Sequence, residues 1–130
     1  MKEVNLLLDT SASMAYDDIK QIINFVFESF DTINLIHFDS EVNKIEKLEK
    51  NNWKLHIINS GGTILQKAFD YLSENKDIAN LDTYIYSDGY TDIATLYSYP
   101  ENLIHLRPHL NSKQLDIKIS NFTEFKEIKI

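Results

Sequence analysis

Three short polar clusters carry most of the oxygen chemistry in this chain: Asp9-Thr10-Ser11-Ala12-Ser13, Ser60-Gly61-Gly62-Thr63 and Ser87-Asp88-Gly89-Tyr90-Thr91-Asp92. Asp9, Ser11 and Ser13 fall at alternate positions, and in extended backbone alternate side chains share one side, so three oxygens can converge on a point. With the Thr63 hydroxyl and the Asp88 carboxylate the set becomes two carboxylates and three hydroxyls, all hard oxygen donors. Mg²⁺ or Mn²⁺ takes such ligands in near-octahedral geometry and commonly leaves some positions to water. A site with so little protein charge keeps a coordination position open, and an incoming carboxylate can fill it. Each cluster also has a plainer reading. Ser11 and Ser13 can cap a following helix, Thr63-Ile64-Leu65-Gln66 fits a capping box, and Asp88-Gly89 is a common turn. Their joint, ordered occurrence at the ends of apolar segments favours the metal reading, and a cap at Thr63 is compatible with it.

The elements that must hold these clusters follow from hydropathy. Val4–Leu8 is a short apolar run of the kind buried on both faces of a sheet. From Asp17 to Phe30 the apolar residues Ile19, Ile22, Ile23, Val26 and Phe30 recur at spacings of three and four, which predicts an amphipathic helix. Ile33–Phe38 is a second strand. Glu41–Ile58 mixes helical spacing (Val42, Ile45, Leu48) with alternation (Leu55, Ile57) and reads as an edge hairpin or strand. Ile64, Leu65, Ala68, Phe69 and Leu72 predict a second helix opening directly after Thr63. Thr83–Ser87 and Leu103–Leu106 are further strands, with a short helix or loop from Asp92 between them. Alternation at Leu115–Ile119 and near Phe125–Ile130 predicts one or two closing strands. The scarce glycines, Gly61, Gly62 and Gly89, mark loops expected to need positive φ or close backbone approach. This order gives an α/β sheet with helices on both faces, whose loops gather at the carboxyl edge, where such folds bind ligands.

Composition narrows the function classes. The 130 residues make one domain, 1-130, with 43% hydrophobic and 25% charged residues, so an ordinary core is expected. Cysteine is absent, which excludes disulfide scaffolds, thiol catalysis and cysteine-bound zinc or iron–sulfur centres. A formal net charge of −7 argues against nucleic acid and anionic membranes as partners, since both need a basic face. Neither a signal peptide nor an apolar run of membrane-spanning length is present, so a soluble, cytoplasmic protein is expected.

Asp9-Thr10-Ser11-Ala12-Ser13, Gly62-Thr63 and Asp88-Gly89 together resemble the metal-ion-dependent adhesion site of von Willebrand factor A (VWA) domains, and the likeness runs from Glu3 to Arg107. With Met14, Phe38-Asp39, Gly61 and Tyr86-Ser87 to Tyr90 added, the pattern is similar to the VWA-like domain at the C-terminus of a bacterial metallopeptidase family often encoded beside MoxR-type AAA+ ATPases. The resemblance implies a three-layer Rossmann-like fold: a mostly parallel sheet with one antiparallel edge strand and helices on both faces. It implies Mg²⁺ or Mn²⁺ held by Asp9, Ser11, Ser13, Thr63 and Asp88, a protein partner offering Asp or Glu, and an AAA+ ATPase as the partner class. Ala12 stands where the family often has Gly. The domain that precedes this module in the longer proteins is expected to be absent. No His-Glu-x-x-His zinc motif occurs, so the binding module is carried over and the peptidase is not.

The competing reading is a PIN-like metal nuclease in which Asp9, Asp39, Asp88 and Asp92 gather around catalytic metal. It leaves Ser11, Ser13 and Thr63 unexplained, and the acidic composition offers no track for a phosphate backbone. A haloacid-dehalogenase-like phosphotransferase needs a second Asp where Ser11 stands. Another alternative is a VWA-like fold with a vestigial site. Asp39 and Asp92 are candidates to hold serine hydroxyls or loop amides, with Asp92 better suited to cap a turn. Tyr90, Tyr97 and Tyr99 read as a recognition patch or as packing, and Trp53 as a contact residue or as packing. His37 and His105, inside apolar strands, read as satisfied structural histidines; His56 and His109 carry no assignment.

Overall fold

The computed structural model describes residues 2–11, 16–57, 62–87, 94–97, 100, 102–107, 119 and 126–129. Its elements are β1 (Glu3–Asp9), α1 (Tyr16–Phe27), β2 (Thr32–Phe38), β3 (Val42–Glu49), α2 (Leu65–Glu74), β4 (Thr83–Tyr86), β5 (Leu103–Arg107) and β6 (Lys126–Lys129). The six strands form one sheet in the order β3-β2-β1-β4-β5-β6. Every neighbouring pair is parallel except β2 with β3, so β3 is an antiparallel edge strand. The chain therefore has an α/β fold with a mostly parallel sheet.

Alternation along the central strands decides which helix covers which face. Val4, Leu6 and Leu8 of β1, with Ile33 and Leu35 of β2, pack against Ile19, Ile22, Ile23, Val26 and Phe27 of α1. Leu7, Ile36, Phe38 and Ile85 pack against Leu65, Ala68, Phe69 and Leu72 of α2. Consecutive strand residues belong to opposite clusters, so the two helices lie on opposite faces. Each large apolar side chain fully buried in this way contributes about 1.5–3 kcal/mol.

Two expected boundaries shift. The α1 helix stops at Phe27 rather than Phe30, because the amides of Glu28 and Ser29 turn back onto the carbonyls of Phe25 and Val26 at 3.1 Å each. Phe30 still buries an edge, lying T-shaped on Tyr84 with centroids 5.7 Å apart. The ambiguous segment resolves as strand β3 over Val42–Glu49, and 53–57 carries no strand; Leu55 and Ile57 pack on the α1 core instead. Part of the Leu115–Ile119 alternation lies outside the described residues, and Ile119 bridges Ala94 in parallel. The closing strand expected near Phe125–Ile130 is β6.

Gly62 corrects the expectation for the glycines. A Cβ there would meet nothing within 4 Å and no positive φ applies, so neither reason for glycine holds at this position. Gly61 and Gly89 lie outside the described residues. Among the described residues, the left-handed non-glycine position is Asn51, at φ 68° in the turn after β3.

Candidate functional site

Asp9 closes β1 at the carboxyl edge of the sheet and is fully buried. Its Oδ1 accepts the Ser11 amide at 2.9 Å and the Thr63 hydroxyl at 3.4 Å, while its Oδ2 accepts the Ser87 hydroxyl at 2.7 Å. Three donors around one buried carboxylate offset the cost of removing its charge from water. They come from the chain leaving β1, the loop entering α2 and the end of β4.

Backbone contacts bring these segments together. Asp9 pairs in register with Phe38, and the Thr10 amide and hydroxyl both donate to the Phe38 carbonyl, at 2.8 and 3.1 Å. Asp39 follows directly, and its carbonyl accepts the Ile64 amide at 2.7 Å, which fixes the residue beside Thr63 to the end of β2. On the other flank Leu8 pairs with Tyr86, so Ser87 falls opposite Asp9. The His105 Nε2 lies 3.0 Å from the Ser87 carbonyl; because a carbonyl only accepts, Nε2 carries the hydrogen.

The plainer readings of Thr63 and Ser11 do not describe this structure, and Ser13, the other capping candidate, lies outside the described residues. No side-chain hydrogen bond caps α2, whose cap residue is Ile64. Gln66, the expected second half of a capping box, instead donates to Asp70 and to the Thr95 carbonyl and accepts the Thr95 amide. Thr63 is thus left to face Asp9. Helix α1 begins at Tyr16, too far along the chain for Ser11 to cap it; the Ser11 amide instead closes a turn on Asp9.

Of the five residues expected to ligate metal, the structure brings Asp9 and Thr63 into contact and places Ser11, also buried, on the Asp9 turn. Ser13 and Asp88 lie outside the described residues, as do Tyr90, Asp92, Tyr99 and His109. Among the described residues no three His, Cys, Asp or Glu side chains gather into a metal-binding group. The described donors are one carboxylate and the neighbouring hydroxyls, a chemistry suited to a hard cation held with little protein charge.

Asp39 holds a loop amide, one of the roles weighed for it. Its Oδ1 accepts the Glu41 amide at 3.0 Å and its Oδ2 the Asn43 side-chain amide at 2.9 Å, so the carboxylate organises the turn into β3. His37 is buried with Nε2 2.7 Å from Glu46 of β3. Burial pushes its pKa below the ordinary histidine value, against the opposing pull of the Glu46 carboxylate. Both strand histidines are therefore hydrogen-bonded within the structure. Trp53 packs half-buried on Phe27, with centroids 6.1 Å apart, whereas Tyr97 is 65% exposed.

Ser87 was not among the expected site residues, though its signal is readable afterwards. It follows the fourth apolar run as Asp9 ends the first, and parallel register sets the two side by side. No helix among the described residues is long and apolar enough to cross a membrane. Comparison with protein-family models, with curated proteins and with solved structures finds no match to this chain.

Proposed function

We propose that this chain is a VWA-like protein-interaction module with a metal-ion-dependent adhesion site at the carboxyl edge of its sheet. In this reading the sheet with one helix on each face is the three-layer VWA arrangement. The observation that carries the proposal is the meeting of the Asp9 carboxylate with the Thr63 hydroxyl at 3.4 Å, across 54 positions of sequence. These residues belong to two of the three motif parts, and a capping role for Thr63 does not account for their contact.

Asp9, Ser11, Ser13, Thr63 and Asp88 would hold Mg²⁺ or Mn²⁺, which when bound supplies a Lewis-acidic position for a partner's carboxylate. The chain's own contribution is orientation. Ser87 and the Ser11 amide fix the Asp9 carboxylate, and the Ile64–Asp39 hydrogen bond fixes the loop bearing Thr63. A chain of net charge −7 repels an acidic partner, so the metal becomes the condition for binding. The partner is a protein presenting Asp or Glu, with an AAA+ ATPase of the MoxR type as the class the sequence resemblance implies. The module is noncatalytic and cytoplasmic in this reading.

Calorimetric titration with Mg²⁺ and Mn²⁺ tests the site: one-to-one binding is expected, lost in Asp9→Ala with the circular dichroism unchanged. Equal affinity in the variant refutes the assignment. Metal-dependent cleavage of single-stranded RNA, abolished by Asp88→Asn, would establish the nuclease reading in its place.

A further inference from the structure

Strand β3 closes one side of the sheet, and its outer backbone is left open. Among the described residues, the backbone groups of 43–48 bond only within the β2 ladder. Backbone N–H and C=O groups need partners, so an open strand edge is a template for another strand. Proteins usually blunt such an edge by keeping it short or by placing proline in it. β3 runs for eight residues without proline or glycine. The segment after it, 53–57, carries no strand and packs on the α1 core.

The side chains of β3 are complementary to themselves. Ile45 pairs with Ile36 on the α2 side of the sheet and is 46% exposed. Lys44 and Glu46 pair with His37 and Leu35 and stand together on the α1 side, Lys44 Nζ 3.4 Å from Glu46 Oε2. When two copies of a strand meet antiparallel about a two-fold axis, opposed residues share a face. The axis must therefore pass through a residue position. An axis at Lys44, Glu46 or Lys47 sets that charge against itself, which is destabilising. An axis at Asn43 falls on the register shift. An axis at Leu48 alternates charge, but there Asn52 bridges Glu49 and closes the outer side of the strand. An axis at Ile45 sets Ile45 on Ile45 and Lys44 on Glu46, twice over. The four charges then form a square in which every neighbour has the opposite sign. Beyond them Lys47 faces Asn43 and Leu48 faces Val42, with no like charges opposed. With two lysines and two glutamates, β3 is also neutral on a chain of net charge −7, so like chains repel least along this edge.

We propose that β3 pairs with β3 of a second copy of this chain, antiparallel and centred on Ile45, joining two sheets into one. A second copy supplies the matching Glu46, Ile45 and Lys44 by symmetry, whereas a foreign strand supplies them only by coincidence. The pairing uses the open β3 edge of both copies, so assembly closes at two. This edge lies two strands from β1 and is independent of the function proposed for the Asp9 site.

Sedimentation of the full chain over rising concentration, at low salt and in EDTA, tests the pairing. A shift from 15.2 kDa to twice that mass is expected. Ile45→Asp sets two carboxylates on the axis and should weaken the dimer at least about tenfold. Lys44→Glu should do as much, and Lys20→Glu, an equal change of charge on α1, should not. Glu46→Lys should also dissociate the dimer. Mixing Lys44→Glu with Glu46→Lys restores opposite signs across the axis, so the mixture should dimerise at least about tenfold more tightly than either variant alone. Circular dichroism checks that each variant folds. Should Glu46→Lys fail to fold through loss of its His37 contact, Ile45→Asp and Lys44→Glu decide the matter. Asp9→Ala should dimerise as the wild type does. A chain that stays monomeric at about 1 mM overturns the proposal and leaves the edge to a foreign strand or to none. A dimer that survives Ile45→Asp, or a mixture no tighter than its components, overturns it as well.

Discussion

The two ends of the β1–β2 ladder both bury polar side chains, and they do so by different rules. At the carboxyl end, Asp9 collects the Ser11 amide from its own turn and the Thr63 and Ser87 hydroxyls from segments remote in sequence. Toward the amino end, Asn5, Asn34 and Thr83 sit inside strands and bond sideways to their register neighbours and to the turn after α2. The first arrangement concentrates hydroxyls on a negative group, the place the proposed function gives to a cation. The second alternates donors and acceptors, which ties strands to one another and to Ile78. In the proposed reading the carboxyl end serves binding and the amino end serves stability.

Removing the amide at the centre of the row gives the largest expected change in stability. Asn5→Ala leaves the Ile78 carbonyl without its side-chain donor and deprives the Asn34 amide of an acceptor, costing about 3 kcal/mol for a buried network broken at one member. Urea denaturation measures this, and divalent-ion affinity should not change. A cost under about 1 kcal/mol would mean that the row is not structural. A fall in metal affinity would mean that the two ends are coupled. The converse experiment is Asp9→Asn, which keeps the shape and removes the charge. Metal affinity should fall at least about 100-fold, equivalent to about 2.7 kcal/mol. Retention of tight Mg²⁺ binding would break the comparison at its carboxyl end.

The carboxyl end was the more legible in sequence for the same physical reason. Loop clusters such as Asp9-Thr10-Ser11 stand out because polar residues abruptly follow an apolar run, so the residues that meet there can be named before the fold is known. Asn5 gives no such signal: one amide within Val4–Leu8 looks like noise until register sets it opposite Asn34. Ser87 was missed for a related reason, since its partnership with Asp9 depends on β1 and β4 being parallel neighbours. The long apolar stretches that became β1, α1, β2, α2, β4 and β5 were readable from periodicity alone. Strand β3 was readable as an edge hairpin or strand but not in its bounds, because the register shift between His37 and Phe38 breaks its alternation and sets Val42 and Ile45, three residues apart, opposite Phe38 and Ile36 of one face.

Ser87 offers a smaller and sharper test of the carboxyl end. Ser87→Ala removes the 2.7 Å hydrogen bond that holds Oδ2 of Asp9 without removing a proposed ligand. Metal affinity should drop about tenfold, the lower range for a group that orients a ligand rather than binding the ion. Ser87→Thr, which restores the hydroxyl, should recover most of it. No difference between the two variants would show that Asp9 needs no such support.

The smallest expected effect separates the two ends by pH. His37 lies one residue before Phe38, the register partner of Asp9, and is buried against Glu46. Burial lowers its pKa from the ordinary 6.5, the Glu46 hydrogen bond and charge pull it back up, and Lys44 lowers it further; burial prevails. The unfolded chain therefore holds more protons than the folded one just below the ordinary value. Stability from this residue is complete above 6.5 and declines as pH falls from there toward the folded pKa. The slope for one such group is at most about 1.4 kcal/mol per pH unit, reduced where Glu46 repays part of the charge. The amides and hydroxyl of Asn5, Asn34 and Thr83 do not titrate in this range. Urea midpoints measured at about pH 7 and about pH 5.5 should differ in the wild type and in Asn5→Ala alike, and differ less in His37→Gln, whose amide can still reach Glu46. An identical pH dependence in His37→Gln would place the titrating group elsewhere in the molecule.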